Sequence, residues 1–195
     1  IYYLCYMNKQ HYQLPNDMTK DGNLVPNDLL VYLTIKSYMN KDTKTCFPSL
    51  KTLSEKIQFS IPTIRKSISK LEAENWISIS KKGRKQIYSF KPSKNFEVFS
   101  PEFLKADDTT SKEKAYVMSS QQLMYKDIEG LGKVSYSDKE LSEKLNISEH
   151  LVSKYNKSLK GKGLLYMVDS DKFENGAMIP NKIFDLSKLQ QDIIF

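Results

Sequence analysis

Two stretches of this chain repeat one another at a constant offset, and that constrains the fold more than any other feature. Ser49-Leu50-Lys51-Thr52-Leu53-Ser54-Glu55-Lys56-Ile57-Gln58-Phe59-Ser60 lies above Ser137-Asp138-Lys139-Glu140-Leu141-Ser142-Glu143-Lys144-Leu145-Asn146-Ile147-Ser148 without a gap. Leu-Ser-Glu-Lys is identical in both, and an apolar residue, Gln or Asn, an apolar residue and Ser follow. The register holds on to Leu71 over Leu159 and to Trp76-Ile77 over Leu164-Leu165, with about a third of the positions identical. Upstream the agreement is looser: Tyr12-Gln13-Leu14-Pro15 resembles Phe99-Ser100-Pro101, and Asp28 to Leu33 resembles Lys114 to Met118. Two unrelated amphipathic helices could match by chance, but not over this length with their caps in register. The chain therefore reads as two copies of one module, residues 1–93 and 94–195, joined through Lys91-Pro92-Ser93-Lys94-Asn95.

Each copy has the punctuation of a helix-turn-helix. Pro26 opens a helix with Asn27 and Asp28 in its first turn, where the helix dipole favours negative charge. Leu29, Leu30, Tyr32 and Leu33 form its apolar stripe. Ser49 is a suitable N-cap for a short helix that turns Leu50, Leu53 and Ile57 inward. Ser60 caps the next helix, which tolerates Pro62 in its first turn and buries Ile64, Ile68 and Leu71. Two short helices separated by about three residues make a helix-turn-helix whose second helix is the reader. Trp76 to Ser80 and Gln86 to Phe90 alternate as strands around a Lys81–Lys85 turn. A hairpin after a helix-turn-helix makes a winged helix.

The second copy predicts helices near residues 112–126, 137–145 and 149–161, the last stopped by Gly161 and Gly163. Strands follow at Leu164 to Val168 and Ala177 to Phe184, around an acidic tip. The expected fold class is α+β, mainly α, with two tandem winged-helix domains. The terminal apolar segment, Leu186 to Phe195, is expected to pack on a domain or to make an oligomer contact.

Charge points to a partner. Of 195 residues, 30 are Lys or Arg and 23 are Asp or Glu, a net charge of +7. Residues 1–95 carry 16 Lys and Arg against 7 Asp and Glu; the remainder carries 14 against 16. Confinement of the basic excess to one half is the pattern of a domain that meets a polyanion. The two arginines fall on the reader helix (Arg65) and at the wing tip (Arg84). The outer face of the reader carries Pro62, Thr63, Arg65, Lys66, Ser69 and Lys70. Thr63 and Arg65, nearest the helix start, are the candidates for base contact. Lys66, Ser69 and Lys70 are candidates for phosphate contact. Lys81, Lys82, Arg84 and Lys85 suit a minor groove or the phosphates beside it. Any solvated helix face carries some Lys and Arg; the placement of both arginines favours the functional reading.

The second copy departs from this pattern. Glu149 and His150 stand at the start of its reader, Ser153 replaces Arg65, and Asn156 falls where Ile68 is buried. Ser153, Lys154 and Lys157 remain as candidate second-domain DNA contacts, but the wing is acidic. The second domain therefore either binds DNA more weakly or has turned to protein contacts.

The string Tyr12-Gln13-Leu14-Pro15-Asn16-Asp17, then a helix, then Cys46-Phe47-Pro48-Ser49, Leu53-Ser54-Glu55-Lys56, Ser60-Ile61-Pro62-Thr63-Ile64 and Leu71 to Ile77 resembles a known family. It is the helix-turn-helix domain of phage and plasmid replication initiators and of the amino-terminal part of DnaD-type primosome proteins. Relatives often have Lys-Gly-Leu-Ile where this chain has Asn75-Trp76-Ile77. The resemblance implies double-stranded DNA binding, with helicase loading or replicon control in some members; replication proteins are further candidate partners, and the apolar terminal segment adds a second copy of the chain. A transcriptional repressor using the same surface, or a primosome adaptor that does not touch DNA, are the competing readings.

Other classes find little support. Two cysteines, Cys5 and Cys46, make neither a disulfide framework nor a zinc site, and no cofactor or metal is expected. Gly130-Leu131-Gly132-Lys133 lacks the spacing of a phosphate-binding loop. The 12 tyrosines mostly occupy apolar helix or strand positions, and no enzyme activity is expected. No stretch approaches the roughly 18 apolar residues of a membrane span, and a reducing cytoplasm is the expected compartment. Residues 1–6 read as an appended sequence or an extra strand ahead of Met7.

Overall fold

The computed structural model describes residues 11–19, 23–124, 136–168, 173–174, 177–178 and 181–185. Residues 1–6, 130–133 and 186–195, and residues 169–172 of the expected acidic tip, lie outside the described residues. The first half runs β1 (Tyr12–Pro15), a 3-10 turn (Asn16–Thr19), α1 (Pro26–Lys36), β2 (Thr45–Cys46), α2 (Leu50–Ile57), α3 (Ile61–Ala73), β3 (Ile77–Lys82) and β4 (Lys85–Phe90). Then follow β5 (Phe96–Phe99), α4 (Pro101–Lys105), α5 (Ser111–Met124), α6 (Asp138–Leu145), α7 (Glu149–Gly161), β6 (Leu165–Val168), β7 (Phe173–Glu174), β8 (Ala177–Met178) and β9 (Asn181–Phe184). The result is a mainly helical α+β fold in which a helix-turn-helix is followed by the β3–β4 hairpin. No helix among the described residues is long and apolar enough to cross a membrane.

The caps act where the sequence puts them. Ser49 Oγ accepts the Thr52 amide at 3.0 Å, and Ser60 Oγ accepts that of Thr63 at 3.3 Å. Ser137 and Ser148 do the same for Glu140 and Leu151. Each satisfies an amide that the first helical turn leaves without a partner. The left-handed residues also recur in register. Gln58 (φ 52°) and Asn146 (φ 51°) end α2 and α6. Asn75 (φ 59°) and Gly163 (φ 66°) follow α3 and α7. Trp76 and Leu164 then each donate an amide back, to Leu71 and Leu159, at 2.9 Å in both cases. These caps, left-handed residues and returning amides fall at one constant offset, 88 residues apart.

One expectation is modified at α1. The spacing predicts a stripe at Leu29, Leu30, Tyr32 and Leu33, yet Val31, Thr34 and Ile35 are buried as well. The cause is a second packing face: α1 lies against α2 and α3 on one side and α5 on the other. A helix covered all round shows no stripe. The strand Tyr12–Pro15 is likewise tied to the other half. β1 and β5 pair antiparallel, with Tyr12 opposite Phe99 and Pro15 opposite Phe96. The Gln122 amide reinforces this junction by donating to the Pro15 carbonyl at 2.7 Å. Tyr12–Pro15 thus lies beside Phe96–Phe99, whose last residue opens the Phe99-Ser100-Pro101 match.

In the second half α5 spans Ser111–Met124, and the expected long strand at Ala177–Phe184 is β8 and β9, with residues 179–180 outside the described residues. β6 pairs with β9 and β7 with β8. Asn156 is buried where Ile68 sits in the first half. It accepts from the Tyr116 hydroxyl at 2.7 Å and donates to Asp138 at 2.9 Å. Lys182, also buried, lies 3.4 Å from the same Asp138 carboxylate. A polar chain thus replaces one apolar contact, with its groups hydrogen-bonded as burial requires.

Glu97, opposite Leu14 in the β1–β5 pair, is 6% exposed. Its Oε2 has no hydrogen-bond partner among the described residues. Burial pushes its carboxyl from 4.5 up to about 8. An acid raised on folding stays protonated in the native chain while the unfolded chain ionises, so stability falls as pH rises from about 4.5 to about 8. Glu97→Gln keeps the shape without the acid. We expect it to raise the melting temperature at pH 8 and to leave it unchanged near pH 4; thermal melts with equal displacement at both pH values would contradict this.

Candidate nucleic-acid interface

The reader helix α3 is positioned from below. Ile64, Ile68 and Leu71 are buried as expected, and Ser67 joins them. Ser67 Oγ donates to Asp28 Oδ1 at 2.5 Å, and Asp28 Oδ2 accepts the Val25 amide at 3.0 Å. One carboxylate therefore caps α1 and holds α3. The second half holds its own helix with a carboxylate too, although Ser158 stands in register with Lys70 and not with Ser67. Glu113 accepts from the amide and hydroxyl of Thr110, from Ser158 of α7 at 2.6 Å and from Lys162 at 2.7 Å. Burial alone would raise its carboxyl; the hydrogen bonds from Lys162, Ser158 and Thr110 outweigh it and hold the group at about 2.

Above this anchor, Arg65, Lys66 and Ser69 are exposed on the outer face of α3, with Ile61 and Pro62 at its start. Thr63 is half-buried, and its hydroxyl lies 2.8 Å from Ser60 Oγ. Lys70 differs from its neighbours. Its ammonium donates to the Asn23 carbonyl at 2.9 Å and lies 3.6 Å from Asp28. It is engaged within the fold, near the C-terminal end of the reader.

The wing forms around a two-residue turn. Lys82 pairs with Lys85, so Gly83 and Arg84 make the tip. Gly83 has φ of +60°, and a Cβ there would meet nothing within 4 Å. The requirement for glycine is conformational, as at the first position of a tight hairpin turn. Lys81, Lys82, Arg84 and Lys85 are all exposed, while Ile77 and Tyr88 anchor the hairpin in the core. β2 adds a third strand beside β4, in the order β2-β4-β3. This ties the wing to the entry of α2.

The sequence reading passed over two exposed apolar residues on this surface. Phe47, between β2 and the cap of α2, is 61% exposed, and Ile61, the first residue of α3, is 38% exposed. The signal was present in Phe47-Pro48-Ser49, where an aromatic residue precedes a proline and a helix cap instead of lying within an apolar stripe. In the second half, Ser153, Lys154 and Lys157 are exposed on α7, as are Glu149 and His150.

Residues 22–77 match the sequence model of a family described as a helix-turn-helix domain. The match spans α1, α2, α3 and the first residue of β3. It suggests DNA binding and implies DNA as a partner. No curated protein matches the chain.

Proposed function

We propose that this chain is a double-stranded DNA-binding protein that reads a specific site through residues 1–93, with residues 94–195 as a divergent second winged helix. The observation that carries the reading is the exposure of both arginines: Arg65 on the outer face of the reader helix and Arg84 at the wing tip. In this reading α3 enters a major groove with Thr63 and Arg65 toward base edges. Lys66 and Ser69 meet phosphates, and Lys81, Lys82, Arg84 and Lys85 meet an adjacent minor groove or its phosphates. The shared caps and left-handed residues support the duplication. Among processes, the module string resembling phage and plasmid replication initiators supports replication initiation.

The test is binding of the full chain to a random duplex pool, followed by salt titration on the recovered sequences. A shared motif is expected, with log K against log salt falling more steeply than about −3, the mark of several displaced counterions. Binding that ignores salt, or none, would contradict the reading. Footprints at repeated sites beside an origin fit an initiator; a single promoter operator would replace that role with repression.

A further inference from the structure

Phe47 is the most exposed large apolar side chain among the described residues, at 61%. Its backbone is fixed on both sides. Cys46 before it is buried in β2, paired with Tyr88 of β4, and its thiol donates to the Ile35 carbonyl at 3.3 Å. After it come Pro48, with its restricted φ, and Ser49, held as the cap of α2. Cys46 turns inward at the end of β2, and Phe47, the next residue, is left outward. The ring meets the wing: Lys85 Nζ lies 5.0 Å from its centroid. An aromatic face and an ammonium are thereby joined between the entry of α2 and the tip end of β4.

We propose that Phe47 is a DNA-contacting residue whose ring packs on a deoxyribose of the duplex backbone while Lys85 beside it meets the neighbouring phosphate. This deepens the function proposed above and rests on it. A nucleic-acid strand alternates sugar faces rich in C–H with charged phosphates, and an apolar ring next to a cation complements that alternation. The surroundings favour this occupant over a protein. Lys51, Lys81, Lys82 and Arg84 are exposed on neighbouring elements, and a stable protein interface would need an apolar centre within roughly 1,000 Å² or more of buried surface. The ring reads no sequence. It fixes the wing and the helix-turn-helix in one register on the strand.

The contact has a signature that separates it from the cations. Removing an apolar contact weakens binding without changing the number of counterions released, whereas removing a lysine lowers that number. Full-length wild type, Phe47→Ala, Phe47→Leu and Lys85→Ala are titrated over a salt series on a duplex recovered by selection and on an unrelated duplex. Phe47→Ala should weaken both duplexes by about tenfold at every salt concentration, or about 1.4 kcal/mol, with an unchanged slope. Phe47→Leu should recover part of that loss. Lys85→Ala should reduce the slope by about 0.9. Thermal melts should match wild type for both Phe47 variants, because the ring is outside the core. Wild-type affinity in Phe47→Ala would overturn the contact and leave the DNA reading standing. A reduced slope in Phe47→Ala, or lost affinity accompanied by a lowered melt, would also overturn it. Failure of the wild type to bind either duplex would overturn the DNA reading and this contact with it.

Discussion

Arg65→Ala is expected to weaken binding to a selected duplex by about 1–3 kcal/mol and to relax base preference at one position of the site. Arg65 is exposed on α3, five residues after the Ser60 cap. A guanidinium can grip both acceptors on the guanine major-groove edge at once, a geometry that neither water nor a point charge reproduces. Arg65→Lys should therefore keep much of the affinity and lose the preference. Lys82→Ala supplies the contrast. It stands at the base of a wing tip whose cations are all exposed, and its loss should weaken every sequence alike with a shallower salt dependence. Equilibrium titration of the selected duplex and of single-base variants measures both effects. Equal tolerance of both substitutions would remove the assigned site.

Asp28→Ala should destabilise the first half by about 3 kcal/mol. The side chain of Asp28 is 3% exposed and serves three groups: the Val25 amide, the Ser67 hydroxyl and the Lys70 ammonium. Loss of the α1 cap costs about 1 kcal/mol. A Ser67 hydroxyl left buried without a partner adds roughly 1–3 kcal/mol. The side chain of Lys70 is 36% exposed and can return to water, so the ion pair itself adds little. Urea denaturation of Asp28→Ala, Ser67→Ala and the double variant tests the arrangement. The double variant should be less destabilised than the two single losses added together, because the two residues share one bond. Strict additivity would mean that the bond contributes nothing.

The helix-turn-helix was legible because its determinants are local. Ser49, Ser60, Ser137 and Ser148 cap helices that begin one residue later, and Leu53, Ile57, Ile64 and Leu71 repeat at helical spacing. The hairpin was legible from the alternation on either side of Gly83-Arg84. Long-range contacts were not. The pairing of Tyr12–Pro15 with Phe96–Phe99 leaves no periodic trace, since four residues carry too few alternations to specify a partner. The burial of every residue of α1 except Asn27 and Lys36 depends on α5, which begins 75 residues after α1 ends. Asn156 was seen to break the apolar pattern, but its partners Tyr116 and Asp138 lie on two other helices and come together only in the fold. Within the interface, residue type and spacing separated the inner from the outer face of α3. They could not show that Lys70 is already bound to Asn23 and Asp28, or that Phe47 stands in water beside Lys85.

The central claim is that one surface of the first half holds a major groove with α3 and a minor groove with the wing. Footprinting on one selected duplex with two probes tests it most directly: guanine N7 methylation reports the major groove, and hydroxyl-radical cleavage reports the sugars that line the minor groove. Protection of a short run of guanines flanked on one side by protected sugars, with the guanine protection lost in Arg65→Ala and the flanking protection lost in Lys82→Ala, is the predicted result. Protection that is unchanged in both variants, or confined to what residues 94–195 can reach, would contradict it.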